Sequence, residues 1–342
     1  KMEKLLAGTE AWREARRQVL TATDVADLIC WRDGFKHYRS PRQIWKEKIG
    51  IEQVNEPSEV MLRGTYLEPV VAALWVKRYQ TPVVEGEYKS RGIYGATWDY
   101  QVEWNDGDDF DNVPLECKTT SQWIIDQWGE DETDQSHHRS IIQTMVQMYT
   151  GDAPIGFVSV LILDGNTKFK ELIPFDEAAK LIKKVDFGQH RTYQIEWDPD
   201  YWKKIDAFCQ AWWQRHVVEG VEPEYSALDL DDIKQEFPED VLPIKEWNND
   251  YLQDVTDYLS LSKRAKEANE LLDMAKARLQ GHIGEHAGLT TPYGTFTWKR
   301  SKDSEKVDTK KLIELLRPSQ EVLQAVTVIQ EGSRRFLFKE NK

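Results

Sequence analysis

Val113-Pro114-Leu115-Glu116-Cys117-Lys118-Thr119-Thr120 is the stretch on which the fold turns. Valine, leucine and threonine suit a strand, and on a strand alternate side chains share a face. Glu116 and Lys118 then point one way while Cys117 turns into the protein. A Glu-x-Lys pair on an exposed strand is ordinarily a solvated charge pair. With a second carboxylate close by, the same residues suit Mg²⁺ or Mn²⁺, and an ammonium two positions away can serve a water beside the metal. Asp99, seventeen residues earlier, supplies such a carboxylate at the end of the run Gly95-Ala96-Thr97-Trp98-Asp99.

Working outward, the chain before this strand reads as helical. Glu10 to Arg17 has a helical pattern, and Leu20-Thr21-Ala22-Thr23-Asp24 begins a fresh helix with Val25, Ala26, Leu28 and Ile29 on its apolar side. Ser40-Pro41 opens another helix that Gly50 stops. From Met61 to Tyr79 the spacing of Leu62, Tyr66, Leu67, Val70, Val71, Leu74 and Trp75 describes a helix with one buried face, and Glu68 lies on that face. A carboxylate there is costly unless a cation neutralises it. Strands are expected at 83–88, 93–103 and 113–118, with a turn at Asn105-Asp106-Gly107-Asp108.

After the strand, residues 137–150 read as a helix that carries Gln143 and Gln147 among apolar side chains. Residues 156–163 and 168–174 read as a hairpin around Asp164-Gly165-Asn166. Helices follow from about Asp176 and over 198–218. This order of helices, strands, helix, strands and helices predicts an α/β core, a mixed central sheet flanked by helices. Gly220-Val221-Glu222-Pro223-Glu224 marks a boundary, giving residues 1–222 as the core domain and 223–342 as a mostly helical extension. The extension is expected to hold a long helix over 251–286, a strand pair at 294–299 and 335–339, and a helix over 308–316.

Composition narrows the class. The 342 residues carry a net charge of −14, distributed as +4 over 1–50, −12 over 51–135, −11 over 136–260 and +5 over 261–342. Attraction to a polyanion has to come from the ends, while central acidity suits a divalent-metal pocket. Three scattered cysteines fit neither a disulfide framework nor a four-cysteine cluster. No run has the apolar length that spans a bilayer, and a cytoplasmic protein is expected.

Taken together, Glu10-Ala11-Trp12-Arg13-Glu14-Ala15-Arg16, Leu20-Thr21-Ala22-Thr23-Asp24, Gly64-Thr65-Tyr66-Leu67-Glu68-Pro69, Gly95-Ala96-Thr97-Trp98-Asp99, the Glu116 strand and Ile142-Gln143-Thr144-Met145-Val146-Gln147-Met148-Tyr149-Thr150-Gly151 resemble the YqaJ-type viral recombinases. That group, which includes lambda exonuclease, belongs to the PD-(D/E)xK nuclease superfamily and its restriction-endonuclease-like core. The resemblance covers residues 8 to 220. It implies a two-metal site for Mg²⁺ or Mn²⁺, with Asp99 bridging both ions, Glu116 and the backbone carbonyl of Cys117 completing one, and Glu68 holding the other. Lys118 would serve the attacking water, and Gln143, or Gln147 one turn along, would orient Lys118 or the water. Arg16 and Thr23 would bind a terminal 5′ phosphate, with Arg17 and Thr21 as near alternatives. The implied activity is 5′→3′ digestion of double-stranded DNA ends, leaving 3′ single strands for recombination in a bacterial host cell. A ring-shaped trimer and a phage single-strand annealing protein are the implied partners. A structure-selective or endonucleolytic nuclease and a non-catalytic DNA-end-binding module are the alternatives. The sequence departs from the family pattern at Trp98, where a proline usually precedes the aspartate, and at Thr23, where serine is commoner.

Overall fold

The computed structural model describes residues 9–51, 59–104, 112–163, 172–183 and 189–328, together with Phe336 and Phe338. The chain divides into two compact units, Lys1–Gln235 and Glu236–Lys342. The first unit begins with α1 (Glu10–Arg17), the two-residue strand β1 (Leu20–Thr21), α2 (Ala22–Arg32), α3 (Pro41–Lys48) and α4 (Glu59–Tyr79). Strands β2 (Val83–Glu85), β3 (Tyr88–Arg91), β4 (Tyr94–Thr97), β5 (Tyr100–Val102) and β6 (Val113–Ser121) follow. The unit continues through α5 (His138–Gly151), β7 (Ile155–Leu163), α6 (Phe175–Leu181), β8 (Gln189–Glu196), α7 (Pro199–Trp212) and α8 (Leu230–Glu236).

Five strands make the main sheet in the order β2-β5-β6-β7-β8. Its central pair, β6 and β7, is parallel from Leu115↔Phe157 to Ser121↔Leu163, and the other pairs are antiparallel. The sheet is therefore mixed. Parallel neighbours need a long crossover, and α5 lies in it. Helices cover the sheet, so Leu115 and the β7 run Phe157, Val158, Val160, Leu161 are buried. A smaller sheet, β1-β4-β3, pairs Leu20 and Thr21 in parallel with Tyr94 and Gly95.

The expected single strand over 93–103 is two strands in two sheets, broken at Trp98-Asp99. Trp98 is buried, and its amide donates to the Glu87 carbonyl (3.2 Å) while the Gly86 amide donates to the Asp99 carbonyl (3.1 Å). Two glycines admit this turn: a Cβ on Gly86 would overlap the Trp98 carbonyl, and one on Gly151 would overlap the indole ring. Both sheets thus meet at the residue that carries Asp99.

Other expectations shift. The second arm of the hairpin expected at 168–174 lies partly outside the described residues, and Leu172–Pro174 form no strand. The antiparallel partner of β7 is β8 instead, with Ile155↔Glu196 at one end of the ladder. The turn expected at 105–108 lies outside the described residues. Residues 223–235, placed by the sequence reading in the extension, pack with the first unit: Ser40 donates from its hydroxyl to Asp229 Oδ1 (2.5 Å), and Gln43 Nε2 donates to Asp232 Oδ2 (2.8 Å).

The second unit holds α9 (Leu252–Ile283), the hairpin of β9 (Gly288–Thr291) and β10 (Gly294–Thr297), α10 (Thr309–Leu316) and α11 (Gln320–Val326). The partner of β10 is β9, through Phe296↔Leu289, rather than the expected 335–339 segment, most of which lies outside the described residues. A two-residue turn at Pro292-Tyr293, followed by Gly294 (φ 136°), makes that local pairing available.

Candidate active site

The site opens where β5 and β6 part. Their ladder runs only from Val102↔Val113 to Tyr100↔Leu115, so among the described residues β6 continues past Leu115 with no strand on that edge. Its next free amide is taken by a side chain: Cys117 N–H donates to Asp99 Oδ2 (2.8 Å). Alternation holds along β6. The Cys117 thiol is buried, while Lys118 Nζ is ion-paired with Glu116 Oε1 on the other face. Gln147 Nε2 of α5 donates to Glu116 Oε2.

One cavity of about 190 Å³ is lined by Asp99, Glu116, Lys118, Gln143 and Gln147 together with Arg16, Thr21, Ala22, Thr23, Ala96 and Thr97. Residues spread over 131 positions of sequence meet there. Glu68 of α4 does not line this cavity, but its charge is coupled to it. Burial and the Glu116 carboxylate push Glu68 up to about 7, against the pull of Lys118. Asp99 is raised well above the ordinary aspartate range by burial, then by Glu116 and Glu68. Burial works against the Lys118 ammonium, but Glu116 and Asp99 outweigh it and hold its pKa above the usual lysine value. Three mutually repelling carboxylates with one ammonium among them make a site short of positive charge.

The other end of the cavity is the start of α2. Thr21 caps that helix by accepting from Asp24 N–H (3.2 Å), and Asp24 returns the bond by accepting from Thr21 N–H (2.9 Å). The oxygen of Thr21 thereby serves as the acceptor of the cap. Thr23, two residues on, accepts from Gln143 Nε2 (3.3 Å). Arg16 lies over the Trp12 ring, 4.5 Å from its centroid, whereas Arg17 is ion-paired with Glu14 (2.9 Å) and does not line the cavity. The geometry brings Arg16, Thr21 and Thr23 to the cavity and leaves Arg17 outside it.

A family model described as the YqaJ-like viral recombinase domain matches residues 11–154, a span that contains every one of these cavity residues. The chain is 26% identical over 189 residues to the uncharacterized protein YqaJ of Bacillus subtilis strain 168; the match covers 52% of this chain and 54% of that protein, so the chain spans about half the length of this relative. Among solved structures it is similar to an alkaline exonuclease (LHK-Exo) from Laribacter hongkongensis, at 19% identity and a TM-score of 0.41 over 67% of this chain and 98% of that one. A phage-related exonuclease from Haemophilus somnus 129PT is 13% identical with a TM-score of 0.41, over 61% of this chain and 100% of that one.

Beneath the start of α2 lies an ion network that gives no sign in the sequence. Lys48 Nζ of α3 contacts Asp24 Oδ2 (2.7 Å), Glu47 Oε1 (3.1 Å) and the Arg16 carbonyl (2.9 Å), and its side chain is wholly buried. Arg39 holds the other Asp24 oxygen (2.8 Å). Burial pushes the Asp24 carboxyl up, but Lys48, Arg39 and Arg16 outweigh it and hold it well below the ordinary range. The capping-box spacing of Thr21 and Asp24 was available in sequence; Lys48, twenty-four residues later, gives no local sign. The two glutamines divide the cavity: Gln147, the alternative of the pair, serves Glu116, and Gln143 serves Thr23.

Among the described residues no three His, Cys, Asp or Glu side chains stand in ready ligand geometry. Lys118 and the Cys117 amide occupy the Glu116 and Asp99 oxygens instead. Among the described residues no helix is long and apolar enough to cross a membrane.

Proposed function

We propose that this chain is a divalent-metal-dependent nuclease that digests double-stranded DNA from a 5′ end and leaves 3′ single strands for annealing-type recombination. One observation carries the reading: a single cavity holds the carboxylate pair Asp99 and Glu116 with Lys118 at one end, and Arg16 with the α2 start at Thr23 at the other. Acid alone would repel a phosphodiester, and base alone would only bind it. Their juxtaposition suits holding a terminal phosphate while the bond beyond it is cut.

The donor set fits hard divalent cations, which favour carboxylate and carbonyl oxygen. Burial of Asp99 and Glu68 beside Glu116 makes their negative charge costly, and a bound divalent cation would offset that cost. Asp99, Glu116, Glu68 and the Cys117 carbonyl would hold Mg²⁺ or Mn²⁺, two ions to a site. Such ions supply positive charge to the attacking and leaving oxygens of an in-line displacement at phosphorus. Lys118 Nζ, kept as an ammonium by Glu116 and Asp99, would orient the attacking water and offset the negative charge that develops at phosphorus. Gln147 restrains Glu116, Arg16 forks onto phosphate oxygens, and Thr23 adds a hydroxyl beside the free amides of a helix start. The motifs' family resemblance extends the proposal to a ring-shaped trimer and to a single-strand annealing protein as partner.

The test is digestion of duplex DNA labelled at one 5′ end, with and without Mg²⁺ and with a phosphate or a hydroxyl at that end. Metal-dependent release of the label as mononucleotide, faster from the phosphorylated end, is expected. Internal cutting with the labelled end intact overturns the exonuclease reading, and metal-independent cutting overturns the site.

A further inference from the structure

Gln143 is buried, and its amide has a defined orientation. Arg139, one turn earlier on α5, can only donate. Its guanidinium is anchored by the wholly buried Asp27 carboxylate, Nε to Oδ1 at 2.9 Å and NH2 to Oδ2 at 3.4 Å, and it lies 5.0 Å from the centroid of the Tyr38 ring. From there NH1 reaches Gln143 Oε1 at 3.5 Å. With its oxygen turned to the arginine, Gln143 presents Nε2 to Thr23, whose Oγ1 accepts at 3.3 Å.

A hydroxyl that accepts from an amide keeps its own proton for a different partner. Among the described residues the Thr23 hydroxyl donates to none, and it lines the cavity beside Arg16. With the amide reversed, Gln143 Oε1 would take the Thr23 proton, and the hydroxyl would meet an incoming anion with lone pairs. Arg139 prevents that reversal, because it would then face an NH₂ group donor to donor.

We propose that Gln143, held by Arg139, is a positioning residue for end recognition: it aims the Thr23 proton into the cavity, where it donates to a terminal phosphate. This rests on the reading of Arg16 and Thr23 as the phosphate site. It separates Gln143 from the Lys118 chemistry and makes α5, through its two glutamines, the element that sets both ends of the cavity.

Gln143→Glu is the decisive variant, since its two oxygens both accept: one stays on Arg139 and the other takes the Thr23 proton. Initial rates on duplexes ending in 5′ phosphate or 5′ hydroxyl give a preference ratio for wild type, Arg16→Ala, Thr23→Val, Gln143→Glu and the Thr23→Val/Gln143→Glu double variant. Thr23→Val and Gln143→Glu are each expected to narrow the ratio about tenfold or more, the scale of a hydrogen bond to a charged group. The double variant should narrow it no further than Thr23→Val. Gln143→Leu, which adds no charge and frees the hydroxyl to rotate, should narrow the ratio by less, and covers the case in which the Glu variant does not fold.

If Arg16→Ala and Thr23→Val narrow the ratio while both Gln143 variants leave it at the wild-type value, the phosphate reading stands and the role of Gln143 is overturned. A further loss from Gln143→Glu in the Thr23→Val background also overturns it, because the effect is then the added charge. If the wild type shows no preference, or Arg16→Ala and Thr23→Val leave it unchanged, the phosphate reading itself fails.

Discussion

Around Lys118 the carboxylates of Asp99, Glu116 and Glu68 share a single ammonium; beneath the start of α2 a buried carboxylate, Asp24, is enclosed by Lys48 and Arg39. The first arrangement is strained in charge, with Asp99 and Glu68 both pushed toward their protonated forms. The second is satisfied, with Asp24 held firmly ionised. Surplus charge at a surface is cheap, but under burial it persists only where something else stabilises it. The contrast teaches which end is scaffold and which end is chemistry, and it gives the two ends opposite responses to substitution.

The largest effect is expected at the satisfied end. Lys48→Met leaves Asp24 buried with half its partners gone and should cost about 3–5 kcal/mol in urea unfolding; a loss below about 1 kcal/mol would break the comparison. At the strained end, Lys118→Ala should lower DNA cleavage by about 10² or more with the fold retained by circular dichroism. Activity near wild type would remove Lys118 from the site. Mg²⁺ or Mn²⁺ should stabilise the protein against heat by about 2.7 kcal/mol at a hundredfold excess over Kd, and Asp99→Asn should abolish that gain. Without metal, however, Asp99→Asn relieves repulsion and should raise stability to urea unfolding. Destabilisation by that variant would show that Asp99 is an ordinary structural acid.

The smallest effects sharpen the contrast through pH. Glu68 has its folded-state pKa raised from 4.5 to about 7, so the fold favours its protonated form. That stability is fully present below about 4.5 and is lost as pH rises through 7 in metal-free protein. Divalent ions or Glu68→Gln should flatten the slope. His190, whose Nε2 lies 2.8 Å from Ser159 Oγ between β7 and β8, is lowered by burial to about 4 from 6.5. Its contribution is present above 6.5 and falls as pH drops toward 4, and His190→Gln should remove that second slope. Chemical denaturation from pH 4 to 8 reads both.

What was legible in the sequence was what is local. The alternation that puts Glu116 and Lys118 on one face of β6, the Ser40-Pro41 start of α3 and the helical spacing of α4 depend on neighbours within a few residues. The break at Trp98-Asp99 was not legible, because it depends on Gly86 and Gly151 admitting the tryptophan from two other parts of the chain. Nor was the strand β8, whose ladder to β7 crosses more than twenty-five residues, or the Asp24–Lys48 contact between helices. The candidate site residues were named from motifs; six of the eight line one cavity, Cys117 lies between Glu116 and Lys118 on β6, and the charges of Glu116 and Lys118 act on Glu68. The division of labour between Gln143 and Gln147 needed side-chain positions, since one helical turn separates them and their chemistry is the same.

The packing of Trp98 sets a rule for how this sequence can drift. A methyl group at position 86 collides with the backbone of residue 98, and one at position 151 collides with its ring. Positions 98 and 151 therefore vary together, since a smaller residue at 98 would release position 151, while position 86 stays constrained by the carbonyl of residue 98 whatever its side chain. Because Asp99 follows directly, the aim of its carboxylate is inherited through a three-way steric agreement rather than through its own identity. A chain that keeps the aspartate but breaks that agreement would retain the motif and lose the site.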